Sequence, residues 1–164
     1  MDRNLIDRFV AGGGELTEAI RGLTHDELLA TPGPGEWSIQ QLVVHLGDSD
    51  AIAIDRMKRI IAEENPTLLY ADESAYVREL FCDQQSVEDT VLLFEVGRRQ
   101  FARVLRNLPD ASFERIGTHS KRGRISLSGL VTDYVEHLEH HLKFLYAKRE
   151  RLGKPVSSGG RRIK

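Results

Sequence analysis

Tyr134-Val135-Glu136-His137-Leu138-Glu139-His140-His141-Leu142 reads as the middle of a long amphipathic helix. At about 100° per residue, Leu130, Tyr134, Leu138 and Leu145 form one apolar stripe, and His137 and His141 fall inside it. Four residues apart, the two histidines project from one face, one turn above the other. Imidazoles directed into an apolar interior are costly unless their ring nitrogens find partners. A divalent metal satisfies them as a ready-made chelate. The alternatives are core histidines bonded to backbone or water, or a surface pair on a rotated helix. The spacing alone leaves these readings open, because HxxxH occurs by chance on many helices. His140 projects about 80° from the stripe's centre and is expected at the solvent or the rim.

Working outward, Ser126 caps this helix, which extends to about Arg149. Before it, residues 109 to 125 form a long connection containing Thr118-His119-Ser120-Lys121-Arg122-Gly123-Arg124, most simply a solvated loop that is also placed to close over a site. A third helix runs from its cap Ser86 to about Asn107, with Val87, Val91, Phe94, Phe101, Leu105 and Leu108 on one face. Arg98 shares that face, so it either snorkels or pairs with a carboxylate, the commoner case, or binds an anionic group in a cavity. Residues 66 to 85 have no sustained period beyond a helical turn around Glu73 to Leu80. A connection of this length is often a lid or pocket wall.

The second helix begins at Ile39 after the capping box Ser38-Ile39-Gln40-Gln41 and runs to about Glu64, stopped by Asn65-Pro66. Ile39, Leu42, Leu46, Ala53, Met57 and Ile60 form its buried face, and His45 borders it. Alone, His45 reads as a half-buried histidine making one hydrogen bond. Thr31 to Glu36 is a rigid extended connector, and Thr24-His25-Asp26-Glu27 is a capping box in which His25 is an exposed first-turn residue. Residues 3 to 23 form the first helix, with Leu5, Phe9, Leu16, Ile20 and Leu23 on one face. Gly12-Gly13-Gly14 in its middle signals a kink or a close approach by a neighbour. A phosphate loop is excluded, since the preceding strand and the Lys-Ser/Thr are missing. No internal repeat, β-hairpin or βαβ pattern is evident.

Four long amphipathic helices in 164 residues imply an all-α four-helix bundle, with long connections after the second and third helices. The expected organisation is a single domain over 1–149 followed by a flexible basic tail over 150–164. Charged residues make up 29% and the net charge is −2, so nothing favours nucleic acid or an acidic membrane surface. No apolar run approaches a membrane span, and no signal peptide is visible, which makes the cytoplasm the default compartment. The lone Cys82 fits a reducing compartment and reads as an inert small hydrophobe, the commoner case, with a reactive thiol as the alternative. Bundle cores are where facing helices build metal sites. A third imidazole from His45 would complete a three-histidine set with an open position for water or substrate.

Pro34-Gly35-Glu36-Trp37-Ser38-Ile39 with His45-Leu46, Gly117-Thr118-His119-Ser120 followed by Gly123-Arg124-Ile125-Ser126, and His137-Leu138-Glu139-His140-His141-Leu142 together resemble the DinB/YfiT-like family, in order and across about residues 5 to 146. The resemblance implies an up-down-down-up four-helix bundle, commonly a homodimer, with a metal triad at His45, His137 and His141. It also implies a small-molecule partner. Characterised relatives include S-transferases using low-molecular-weight thiols such as bacillithiol or mycothiol, a maleylpyruvate isomerase, and proteins proposed as metal-dependent hydrolases. The expected function is therefore a metal-dependent transferase that activates a low-molecular-weight thiol for attack on a small electrophile. The alternatives are a hydrolase using water at the same site and a non-catalytic, stress-related metal-binding dimer. Zinc or nickel is the expected ion, with iron, cobalt and manganese compatible with the same donors. Arg98 or Arg56 is expected to steady a carboxylate of thiol or substrate, and Asp48 and Glu136 to hold imidazole N–H groups.

Overall fold

The computed structural model describes residues 2–31 and 33–156. Four long helices carry the fold: α1 (Asn4–Ile20), α3 (Ile39–Ala62), α5 (Val87–Asn107) and α6 (Leu127–Arg151), with short α2 (His25–Leu29) and α4 (Glu73–Glu79) between them. Their starts are set by local chemistry. The Ser38 hydroxyl accepts from the Gln41 N–H while the Gln41 side chain accepts from the Ser38 N–H, and Thr24 and Glu27 repeat the exchange at α2. Ser86 and Ser126 each accept one N–H from the first turn of α5 and α6. After α3, Asn65 takes a left-handed φ of 46° immediately before Pro66 and turns the chain away.

Cross-helix contacts fix the directions. Arg8 pairs with Glu139 and Arg149 reaches the Ala19 carbonyl, so α1 and α6 run parallel. Arg106 pairs with Asp7 while Glu95 faces Gly13, so α1 and α5 are antiparallel. His45 meets His141 and Arg56 meets Tyr134, so α3 and α6 are antiparallel. The bundle is therefore up-down-down-up, with α1 and α3 each wedged between α5 and α6. Two large clusters lie along its axis, and a small third one joins Val44 of α3 to Val77 and Cys82 of the first long connection. Of the two large ones, one is built around Phe9, Met57, Phe101 and Phe113, the other around Leu16, Leu46, Phe94 and Leu142. No helix among the described residues is long and apolar enough to cross a membrane.

The glycine run resolves as close approach, and α1 is continuous through it. A Cβ on Gly12 would lie 2.4 Å from Leu138 Cδ2 and 2.7 Å from Arg98 Nη1, and one on Gly13 would meet Glu95, whereas Gly14 faces open space. Two of the three glycines thus let α5 and α6 seat against α1.

The absence of a β-hairpin is corrected by the structure. The second long connection folds as β2 (Ile116–His119) and β3 (Gly123–Ser126), antiparallel with Thr118 opposite Arg124, and Gly123 takes φ 77° in the turn. β1 (Thr67–Leu68), from the first long connection, adds parallel to β2. Strands this short, with Gly117 and the exposed Thr118 and Arg124 in place of an alternating apolar face, carry too little period to be read. The sheet clips the two connections together along the α3–α6 pair.

α6 continues to Arg151, Arg149 donates to the Ala19, Arg21 and Lys154 carbonyls, and Lys154 pairs with Glu27 at 2.9 Å. Lys148 and Arg149 are buried, tied into the end of the bundle by these carbonyls and that of Trp37. Residues 157–164 of the expected tail lie outside the described residues.

Candidate metal centre

α3 and α6 face each other across the bundle, and their antiparallel course brings His45 against the His137–His141 turn. The ring centroids lie 5.3 Å apart for His45 and His137, 4.9 Å for His45 and His141, and 4.5 Å for His137 and His141. One ligand nitrogen from each ring falls within 4.8 Å of the others. His45 is 2% exposed and the other two are half-buried. His140 stays outside the cluster, exposed at the cavity rim with its ring edge-on to Phe144 at 4.8 Å and 5.4 Å from that of His141, as the helical wheel requires.

The electrostatics follow from burial. Desolvation first, and then neighbouring positive charge (His141 for His45, chiefly His141 and His45 for His137, and His140 for His141), lower the pKa of His45 to about 4, of His137 to about 3 and of His141 to about 4. All three rings are therefore neutral at physiological pH and present lone pairs. His45 Nε2 and His141 Nδ1 are buried without a hydrogen-bond partner. Three neutral imidazoles converging on one point, two of them with an orphaned nitrogen, make the donor set of a divalent metal, and the residues fit such an ion.

The cluster opens into a cavity of about 560 Å³ between α3, α6 and the two connections. Asp48, one turn beyond His45, lines it with its carboxyl pushed up by burial and Oδ2 unpartnered. Glu136 lines the exposed side next to His137. Neither is seen bonded to an imidazole N–H. Arg56 lines the cavity with Nη1 2.8 Å from the Tyr134 hydroxyl.

Arg98 is a correction. Its guanidinium is 1% exposed, sandwiched between the Phe9 and Phe94 rings, and committed to Asp50 Oδ1 at 2.8 Å and to the Phe9 and Tyr134 carbonyls. Every edge faces protein, so it has nothing left for a substrate. The carboxylate pairing is the arrangement found. Cys82 is buried away from the cavity, with burial raising its thiol pKa.

Two lining residues escaped the sequence reading. Glu73, in the first turn of α4, puts Oε2 3.5 Å from His45 Nε2. His119, from β2, is 5% exposed and its Nδ1 accepts the N–H groups of Lys121 and Arg122. Both belong to connections whose docking is non-local. The only local signals were the Asp72 cap before Glu73 and the length of the two segments.

The sequence profile of the DinB superfamily matches residues 8–145, most of the chain and all of the site. The chain belongs to the DinB superfamily. It is 31% identical, over 77% of its length and 73% of the relative's, to an Oceanobacillus iheyensis protein whose name proposes a metal-dependent hydrolase. A Bacillus mycoides protein of similar name is 28% identical over 84% of this chain and 79% of its own. Among solved structures, Bacillus subtilis YfiT, proposed to be a metal-dependent hydrolase with an unusual four-helix bundle topology, superposes with a TM-score of 0.86. It is 25% identical, covering 92% of this chain and 86% of that one. The DinB-like YjoA of the same organism shares the fold at a TM-score of 0.64 and 16% identity, over 97% and 99% of the two chains.

Proposed function

We propose that this DinB-superfamily chain is a metal-dependent enzyme that activates a small nucleophile at His45, His137 and His141, and that the nucleophile is a low-molecular-weight thiol transferred to a small electrophile. The observation that carries the reading is the convergence of three neutral imidazoles, with unpartnered nitrogens on His45 and His141, at one end of an open cavity. A structural metal site would be closed by a fourth protein ligand, whereas this cluster faces space large enough for a small molecule. A divalent ion there, zinc or nickel by donor type, supplies the positive charge that lowers the pKa of a bound thiol or water. The chain's own contribution is to keep the three rings neutral and to exclude bulk water from His45, against which the Trp37 ring packs at 5.2 Å.

Hydrolysis is the second reading. It is favoured by the Glu73 carboxylate 3.5 Å from His45 and by Asp48 beside it, either of which is placed to hold a proton taken from water. The hydrolase names of the relatives point the same way. A homodimer fits the exposed apolar run Leu92, Leu93 and Val96 on the outer face of α5.

Metal content by plasma mass spectrometry of tag-free protein tests the centre. Near-stoichiometric metal is expected, lost in His45→Ala, His137→Ala and His141→Ala and kept in His140→Ala. No metal after reconstitution with zinc or nickel at neutral pH overturns the proposal. Cobalt-substituted protein then separates the two chemistries. A thiolate charge-transfer band on adding a small thiol supports transfer, while ester or amide turnover without thiol supports hydrolysis.

A further inference from the structure

The cavity wall formed by the sheet and the far part of α3 carries cations with no counter-ion. Arg56 donates to the Tyr134 hydroxyl at 2.8 Å and to the Leu69 carbonyl at 2.5 Å, both uncharged acceptors. Lys121, in the β2–β3 turn, holds Nζ 3.4 Å from the centre of the Tyr70 ring. Neither has a carboxylate partner among the described residues, whereas Arg122 is neutralised by Asp133 at 2.8 Å. The other acids of the cavity, Asp48, Glu73 and Glu136, flank the histidines instead.

His119 sits among these cations with a fixed tautomer. Its Nδ1 accepts two backbone N–H groups, from Lys121 at 3.1 Å and Arg122 at 3.2 Å, so the neutral ring carries its proton on Nε2. Burial first, then Arg56, Arg122 and Lys121, lower its pKa and keep it neutral. The turn backbone thus converts a histidine into a pure donor on the cavity wall.

We propose that Arg56, Lys121 and the Nε2–H of His119 form an oxyanion subsite that takes the carboxylate or phosphate of a small molecule whose reactive end faces His45, His137 and His141. The inference rests on the reading of those histidines as the reaction centre, although the subsite needs no metal of its own. Tyr134 stands between the two ends, its ring centroid 5.9 Å from that of His137 and its hydroxyl on Arg56. A substrate with an anionic head a few bonds from its reactive group spans that distance. A neutral substrate would leave the half-buried Arg56 and the exposed Lys121 without a counter-ion.

The test is a chemical-shift titration of the full-length, ¹⁵N-labelled protein with hexanoate, hexyl phosphate and neutral hexanol, both metal-free and zinc-loaded. At least one anion should bind about 10-fold or more tighter than hexanol, as expected for charge-assisted hydrogen bonds, with the largest shifts at the Lys121 and Arg122 amides. Whichever of the two anions binds tighter identifies the head group. The preference should fall in Lys121→Gln, a change at an exposed position that spares the fold, and in Arg56→Gln, and survive in Arg56→Lys. Imidazole ¹⁵N shifts should show His119 protonated on Nε2 alone. Equal affinity for anions and hexanol in both states overturns the subsite, as does anion binding confined to zinc-loaded protein with shifts only at His137 and His141. Anion binding at the turn in a chain that takes no metal leaves the subsite standing and removes the metal reading. Metal uptake without anion preference does the reverse.

Discussion

Burial of the three imidazoles makes a quantitative claim about pH. For three ordinary histidines of pKa near 6.5, the fraction with all rings neutral falls from about three-quarters at pH 7.5 to about one in a thousand at pH 5.5, and metal affinity falls with it by about a thousandfold. Here the rings stand at about 4, 3 and 4. At pH 5.5 about nine-tenths of the folded metal-free protein still has all three neutral, so zinc affinity should change by less than about twofold over the same range. Proton competition should set in only below about pH 4.5. The assay is competition against a chromophoric chelator calibrated at each pH. Calorimetry at pH 6.0 in buffers of different ionisation enthalpy supplements it, where ordinary histidines would release about two protons on binding and these close to none. A decline of a hundredfold or more between pH 7.5 and 5.5, or release of two protons, would refute the reasoning. It would show that without metal the cluster opens to water and that the rings are not held neutral by the fold.

The same shifts act on stability with a definite sign. Since the folded pKa values lie below the unfolded value, the unfolded chain binds protons that the fold does not, and metal-free protein should lose urea resistance as pH falls from about 6.5 to about 4. His137→Phe should make that loss shallower. Gly12→Ala should cost about 1–3 kcal/mol through overpacking against Leu138 and Arg98, while Gly14→Ala, with open space at its Cβ, should stabilise by up to about 1 kcal/mol; urea melts of the pair check both. Asp50→Ala should cost about 3–5 kcal/mol by leaving the buried Arg98 charge uncompensated, again read from urea melts. If the α5 face is a dimer interface, Leu93→Glu should produce monomers by sedimentation velocity.

Where a residue's role is set by its own helix, the sequence disclosed it. Ser38, Ser86 and Ser126 start their helices because capping is a three-residue event. His137 and His141 share a face because a helix turn imposes it, and the same geometry excludes His140. The arrival of His45 opposite them came from the family resemblance, since nothing local to α3 states which helix it faces. Glu73 and His119 were not legible for the same reason, made stronger. Each reaches the cavity through a connection held by a sheet too short to leave a period, and His119 owes its tautomer to two backbone groups that the residue type does not predict.

Arg98 shows how such a non-local fact still governs the site. Its place on an apolar stripe promised a buried charge, and the carboxylate that matches it, Asp50, lies on α3 at a separation of 48 residues. From α5 this one guanidinium grips Asp50 on α3, the Phe9 carbonyl on α1 and the Tyr134 carbonyl on α6, and so touches every long helix. On α6 the grip falls one turn before Leu138, the residue that Gly12 admits at close range. Between those two anchored positions lies His137. The rotation and depth of α6 are thus fixed on either side of the first histidine of the pair, and its ring meets His45 because of that. A residue first considered for holding substrate instead holds the helix that presents the imidazoles. The close packing of Gly12 against Leu138 and the buried ion pair serve one purpose together, which is to leave three neutral rings only one place to point.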